Sequence, residues 1–144
     1  MKEKIGQRGK QAEKIVETVL RKWNSRVTFA YWRLPDSRSA RSFLVAQPGD
    51  YGYFSGSHAG IIEVKSSLHP SRIAKDKISQ LPILQKLALA GANSVILIHH
   101  SEIDKWRVLF PSELAMDVPS WELSAFPLFD SAEDALISTG YFVL

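Results

Sequence analysis

The stretch Ile61-Ile62-Glu63-Val64-Lys65 constrains this 144-residue chain more than any other. It reads as a β-strand, and side chains alternate along a strand. Ile62 and Val64 then share one face, which anchors the strand in a core, while Ile61, Glu63 and Lys65 share the other. A carboxylate and an ammonium therefore project together from the opposite side, flanked by an aliphatic residue. A solvated strand is usually polar along the whole of its exposed face, and this one is not.

Upstream, Asp50 follows Pro48-Gly49 and opens a short strand to Phe54. Ser55-Gly56-Ser57-His58-Ala59-Gly60 is turn chemistry. A hairpin folded about Gly56–Gly60 sets Phe54 opposite Ile61, Gly52 opposite Glu63 and Asp50 opposite Lys65. Asp50 thereby reaches the open end where Glu63 and Lys65 emerge. Two carboxylates held close repel, and one is driven toward protonation. A divalent cation removes that conflict. Mg²⁺ takes a few protein oxygens and leaves the rest of its octahedron to water and phosphate. Asp50, Glu63 and the Val64 carbonyl are the predicted donors. In such a site the ion polarises a phosphodiester and acidifies a bound water, while Lys65 orients the water or neutralises developing charge.

The remaining chain predicts a mixed sheet with helices packed on it. Ala12, Ile15, Val16, Val19, Leu20 and Trp23 follow a helical stripe, giving an amphipathic helix from Lys10 to Trp23. Glu13 lies about 80° around from the stripe centre, at a flank from which it reaches a cleft beside the sheet. Val27–Trp32 is a strand, and Arg33–Ser42 a polar loop or protruding hairpin. Leu68–Lys77 is a linker. A second helix runs from Ser79, its N-cap, to Ala90, with Gln80 at its edge and Gly91 ending it. Strands follow at Val95–Ile98 and Trp106–Phe110, then a short helix at Ser131–Ser138 and an extended end. One domain spans residues 1–144, with a core at 7–110 and an acidic tail at 111–144.

Charge is unevenly placed. Residues 1–45 hold eleven Lys/Arg against four Asp/Glu, and no Lys or Arg follows Phe110. A basic front half points to a polyanionic partner, with Arg8, Lys10, Lys14, Arg38, Arg41 and His69 as phosphate-contact candidates. The chain has no Cys, which excludes disulfides, thiolate metal sites and a Cys nucleophile. No apolar run is long enough to span a bilayer, and the first residues lack the apolar stretch of a secretory leader. The expected location is cytoplasm, that of the host if a phage encodes the chain.

Pro48-Gly49-Asp50 followed by Glu63-Val64-Lys65 resembles the PD-(D/E)XK nuclease motif, with Gly49 inserted between the Pro and the Asp. Arg8-Gly9, Glu13, the Asp, the Glu-x-Lys and Gln80, in that order, are similar to RecU-type Holliday junction resolvases and related phage enzymes over residues 7–110. The resemblance implies a restriction-endonuclease-like α/β core in α-β-β-β-α-β-β order and Mg²⁺ (Mn²⁺ substituting) held by Asp50 and Glu63. It also implies that Lys65 assists the water, Glu13 completes the metal shell and Gln80 supports the site, in a homodimer that cuts branched DNA such as four-way junctions. The family's projecting element corresponds to Arg33–Phe43, which is short here. Three other readings stand beside this one. They are a duplex-cutting nuclease on the same core, a catalytically silent DNA-binding module, and an interaction domain using Trp121, Phe126 and Phe129.

Overall fold

The computed structural model describes residues 5–35 and 47–143. Helix α1 (Ile5–Trp23) leads into strands β1 (Phe29–Arg33), β2 (Tyr51–Ser55) and β3 (His58–Ser67). A short strand β4 (Arg72–Ala74) and a single 3-10 turn (Lys75–Lys77) precede helix α2 (Leu81–Leu89). Strands β5 (Val95–His100), β6 (Lys105–Leu109) and β7 (Ser120–Glu122) and helix α3 (Ala132–Ser138) complete the order.

The main sheet runs β1-β2-β3-β5-β6. The pairs β1–β2, β2–β3 and β5–β6 are antiparallel, and β3–β5 is parallel, with α2 in the crossover. This is the mixed sheet flanked by helices that the sequence predicts. β4 and β7 form a separate two-stranded ribbon. It places strands at Arg72–Ala74, where the sequence suggested a linker, and at Ser120–Glu122, ahead of the helix expected in the tail.

Helices cover both faces. Ala12, Val16, Leu20 and Trp23 of α1 are fully buried against Tyr51, Tyr53, Ile62, Val64, Val95 and Leu97. Burying each large apolar side chain contributes about 1.5–3 kcal/mol. Ile15, counted in the sequence stripe, faces outward instead. On the other face Leu81 and Leu84 of α2 pack on Ile96, Ile98 and Leu109, together with Ile73, Trp121 and Leu123. Trp121 is buried, and Phe126 and Phe129 pack against the two cores, so the tail aromatics are internal. α3 joins the α1 side. Ser131 caps it by accepting from the Asp134 N–H at 3.1 Å. Glu133 accepts from the Trp23 indole at 2.9 Å and pairs with Lys22 at 2.5 Å, which tie the tail to α1.

The hairpin register differs from the expected one by two residues. Ser55 pairs with His58, Gly52 with Ile61 and Tyr51 with Ile62. The turn is only Gly56-Ser57, and Gly56 at φ 58° supplies the left-handed conformation a two-residue hairpin needs. β3 therefore begins at His58, three residues earlier than predicted. Likewise α1 begins before Lys10, and Gln80, not Ser79, caps α2.

Candidate active site

β3 is a shared strand whose two neighbours overlap at Ile62. β2 pairs with it from His58 to Ile62 and β5 from Ile62 to Ser67. Asp50 sits where β2 stops. Its backbone N–H donates to the Ile62 carbonyl at 3.0 Å, and its carboxylate Oδ2 accepts from the Val64 N–H at 2.7 Å. A side chain thus takes the place of the next ladder bond. By continuation of the register Asp50 lies across from Glu63, not Lys65. Backbone groups of one strand residue point to the same side, so the Val64 carbonyl is turned toward Asp50 as well.

Glu63 is 2% exposed. Its Oε1 lies 3.4 Å from Lys65 Nζ, while its buried Oε2 has no hydrogen-bond partner. Burial pushes its pKa well above the usual carboxylate range, the Asp50 charge adds to this, and Lys65 opposes it. A buried carboxylate oxygen without a donor is costly, and a cation is the chemistry that would relieve it.

Glu13 reaches the same corner from α1. Its pKa is also raised, first by burial and then by Asp50, against the lowering effect of Arg33. Arg33, at the end of β1, donates to Glu13 Oε2 at 3.2 Å and to the Tyr51 hydroxyl at 3.4 Å. It also lies 4.0 Å from Glu17 and over the Tyr51 ring. The Tyr51 hydroxyl in turn donates to the Glu13 carbonyl at 3.4 Å. Three carboxyl groups, Glu13, Asp50 and Glu63, are thus crowded at one corner, with Lys65 beside Glu63 and Arg33 beside Glu13.

Gly49 borders the pair. A Cβ there would lie 2.4 Å from the Ile61 Cγ2 and 3.5 Å from Glu63 Oε2. Only glycine lets the chain pass so close. The Gly49 that departs from the resembled motif is thus required by the packing here.

Among the described residues no three acidic or imidazole side chains form a complete metal cage. Two carboxylates and a backbone carbonyl are nevertheless a donor set that fits Mg²⁺, which keeps much of its water. The other predicted residues are dispersed. Gln80 caps α2, where its side chain accepts from Ser79 Oγ at 3.4 Å and makes no hydrogen bond to Asp50, Glu63 or Lys65. Arg8 is half-buried; Lys10 and Lys14 are exposed on α1, one turn apart. His69 is exposed, and its Nδ1 accepts from the Ser71 N–H at 3.1 Å. Arg38 and Arg41 lie outside the described residues.

Sequence reasoning missed Arg33 as part of this corner, placing it in a loop. It lies twenty positions from Glu13, and no local spacing links them. It also missed a buried polar cluster behind the ribbon. His100 bonds the His69 carbonyl at 2.7 Å through Nδ1 and receives Arg107 Nη1 at Nε2, 2.9 Å away. Arg107 also donates to the carbonyls of Pro70 and Phe126. Burial, the larger effect, lowers the His100 pKa. This holds a neutral imidazole as an internal staple.

No family model matches the chain, and no curated protein matches it. Among solved structures it is similar to Hjc, a Holliday junction resolvase from the archaeal hyperthermophile Archaeoglobus fulgidus. The TM-score is 0.56 at 18% identity, over 94% of this chain and 98% of that one. At that identity the likeness concerns architecture alone: the chain shares with that protein a mixed α/β fold, a five-stranded sheet flanked by helices.

Proposed function

We propose that the chain is a metal-dependent endodeoxyribonuclease that resolves branched DNA, with the four-way junction as its preferred substrate. The observation that carries the reading is the buried Glu63 carboxylate, its Oε2 unpartnered, with Asp50 across the hairpin and Lys65 Nζ at 3.4 Å. The shared fold with a protein described as a Holliday junction resolvase supports the choice of substrate, as does the basic front half of the sequence.

Asp50, Glu63 and the Val64 carbonyl would hold Mg²⁺ or Mn²⁺, and Glu13 would join them directly or through water once released from Arg33. The cation would supply Lewis-acid polarisation of the scissile phosphate. Lys65, tethered to Glu63, orients the attacking water and offsets charge building on the phosphorane. Arg33 holds Glu13 in place and balances the acidic corner. Arg8, Lys10, Lys14 and His69, with Arg38 and Arg41, would bind flanking phosphates. A homodimer would present two such centres to opposing strands.

The test is cleavage of end-labelled four-way junction, Y-fork and linear duplex with Mg²⁺ and with chelator. We expect junction cutting that needs metal and falls about 10²- to 10³-fold in Asp50→Asn and Glu63→Gln, the scale on which removal of a charge-stabilising group slows an enzyme. Equal cutting of linear duplex would favour a restriction- or repair-type enzyme. Normal cutting by either variant, or no cutting of any substrate, would refute the assignment.

A further inference from the structure

On the sheet face that carries Glu63, one pair-row away from the carboxylates, lies a neutral aromatic shelf. Trp32 pairs with Gly52, which pairs with Ile61, and Phe54 lies in the next row, paired with Ala59. Trp32 is 45% exposed and Phe54 55% exposed, with ring centroids 5.8 Å apart and planes inclined by 34°. The indole lies flat across the strand because Gly52 has no side chain. A Cβ there would lie 2.3–2.8 Å from three indole atoms. The two rings line one side of a groove of about 490 Å³ that also includes Pro48, Ile61 and Asn93, and no charged residue lines it. Tyr51 and Tyr53, their neighbours in sequence, are in the core.

We infer that this shelf receives an unstacked nucleobase next to the scissile phosphate. The inference rests on the nuclease reading above and adds a binding subsite to it. Three observations favour a base as the occupant. The groove borders the candidate centre, since Ile61 and Pro48 line it and Ile61 lies against Gly49, whose other side approaches Glu63 Oε2. Two residues along a strand, the step from Asp50 to Gly52 under the indole, span roughly 7 Å, about the spacing of adjacent nucleotides in an extended strand, so a backbone gripped at Asp50 and Glu63 brings a neighbouring base over Trp32. An uncharged, apolar lining repels phosphate but suits a π-face. The Asn93 side chain, which meets His58 Nδ1 through its Oδ1, offers its NH₂ to a base edge. A fully stacked duplex keeps its bases from this shelf, whereas a branch point supplies unstacked ones. The shelf therefore selects for branched or locally melted DNA.

The test places 5-iodouracil beside the branch point of a four-way junction, and at the matching place in a linear duplex, with Ca²⁺ in place of Mg²⁺ to prevent cutting. Irradiation is expected to join the junction, not the duplex, to Trp32 or Phe54, as mapped by peptide mass. Trp32→Ala should weaken junction binding by roughly 5- to 150-fold, the value of one base–aromatic stack. It should change duplex binding less than twofold. Trp32→Phe, which preserves a ring and guards against misfolding, should retain most of the affinity and the crosslink. If the wild type cuts the junction but neither crosslinks at these rings nor loses affinity in Trp32→Ala, the shelf proposal falls and the nuclease reading survives. A Trp32→Ala protein with unchanged affinity but a different mass by sedimentation would overturn it in favour of an interface between copies. A wild type that binds no DNA removes both.

Discussion

Replacing Glu63 by Gln should abolish cutting and stabilise the fold. The carboxylate is almost fully buried, faces Asp50, and has one oxygen without a donor. A Gln keeps the shape. Its Oε1 keeps the Lys65 contact, and an amide NH₂ in the Oε2 position donates toward Asp50. Leaving a buried acceptor unpaired costs roughly 1–3 kcal/mol, and the substitution recovers a gain of that order. For 144 residues the unfolding entropy makes each kcal/mol worth about 3 °C, so Tm should rise by about 3–10 °C. The sign with pH follows from the raised folded-state pKa of Glu63. Below the unfolded value both states are protonated and the variant has little advantage. Between the unfolded and folded values the native wild type binds more protons, so its stability declines as pH rises. The advantage of Gln should therefore grow from about pH 4.5 upward and level off above the folded pKa. The assay is calorimetry in chelator across about pH 4–9, a range that brackets the unfolded value. Adding Mg²⁺ at about 100 times its dissociation constant should restore about 2.7 kcal/mol to the wild type and much less to the variant. A variant less stable than wild type at the alkaline end of that range in chelator would refute the reasoning, because the carboxylate would then be well paired and not poised for a cation.

In Gly49→Ala the new methyl meets Ile61 Cγ2 at 2.4 Å, so overpacking should cost about 1–3 kcal/mol in urea unfolding. Adding Ile61→Ala should recover part of it non-additively; simple additivity would show that the clash is not felt. Removing Lys10 and Lys14 together should lower the slope of log K against log salt by roughly 0.9 for each phosphate no longer neutralised, measured on junction DNA without metal. An unchanged slope would place DNA on another side of α1.

Much of the layout was legible in the sequence because it follows from periodicity. The stripe from Ala12 to Trp23, the aliphatic run at Val95 and the short helix at Ser131–Ser138 are local signals, and each became the element expected. The alternation in Ile61–Lys65 was enough to send Ile62 and Val64 into the core and Glu63 and Lys65 to the opposite face. The small ribbon was not legible. Arg72–Ala74 and Ser120–Glu122 are three-residue strands, too short for any period, and they exist because Ile73 and Trp121 close the α2 core from outside. The pairing of Arg33 with Glu13 was equally invisible, since it depends on β1 lying beside β2 while α1 crosses beneath.

The hairpin register is the instructive error. A longer turn and a two-residue turn both bring Asp50 near the Glu-x-Lys strand, so the nearness of Asp50 to Glu63 was anticipated for a partly wrong reason. What sets Asp50 is the ending of a ladder. β2 gives out just where β5 takes over β3, and the strand beyond Ile62 keeps one edge open on the β2 side. Asp50 closes the first position of that edge with its own Oδ2 on the Val64 N–H. Glu63, across from Asp50 in the continued register, feels its charge, and the Val64 carbonyl is turned to the same side. Asp50 is half-buried there, and the buried Glu63 beside it persists because Ile62 and Val64, on the other face of the same strand, hold it in position.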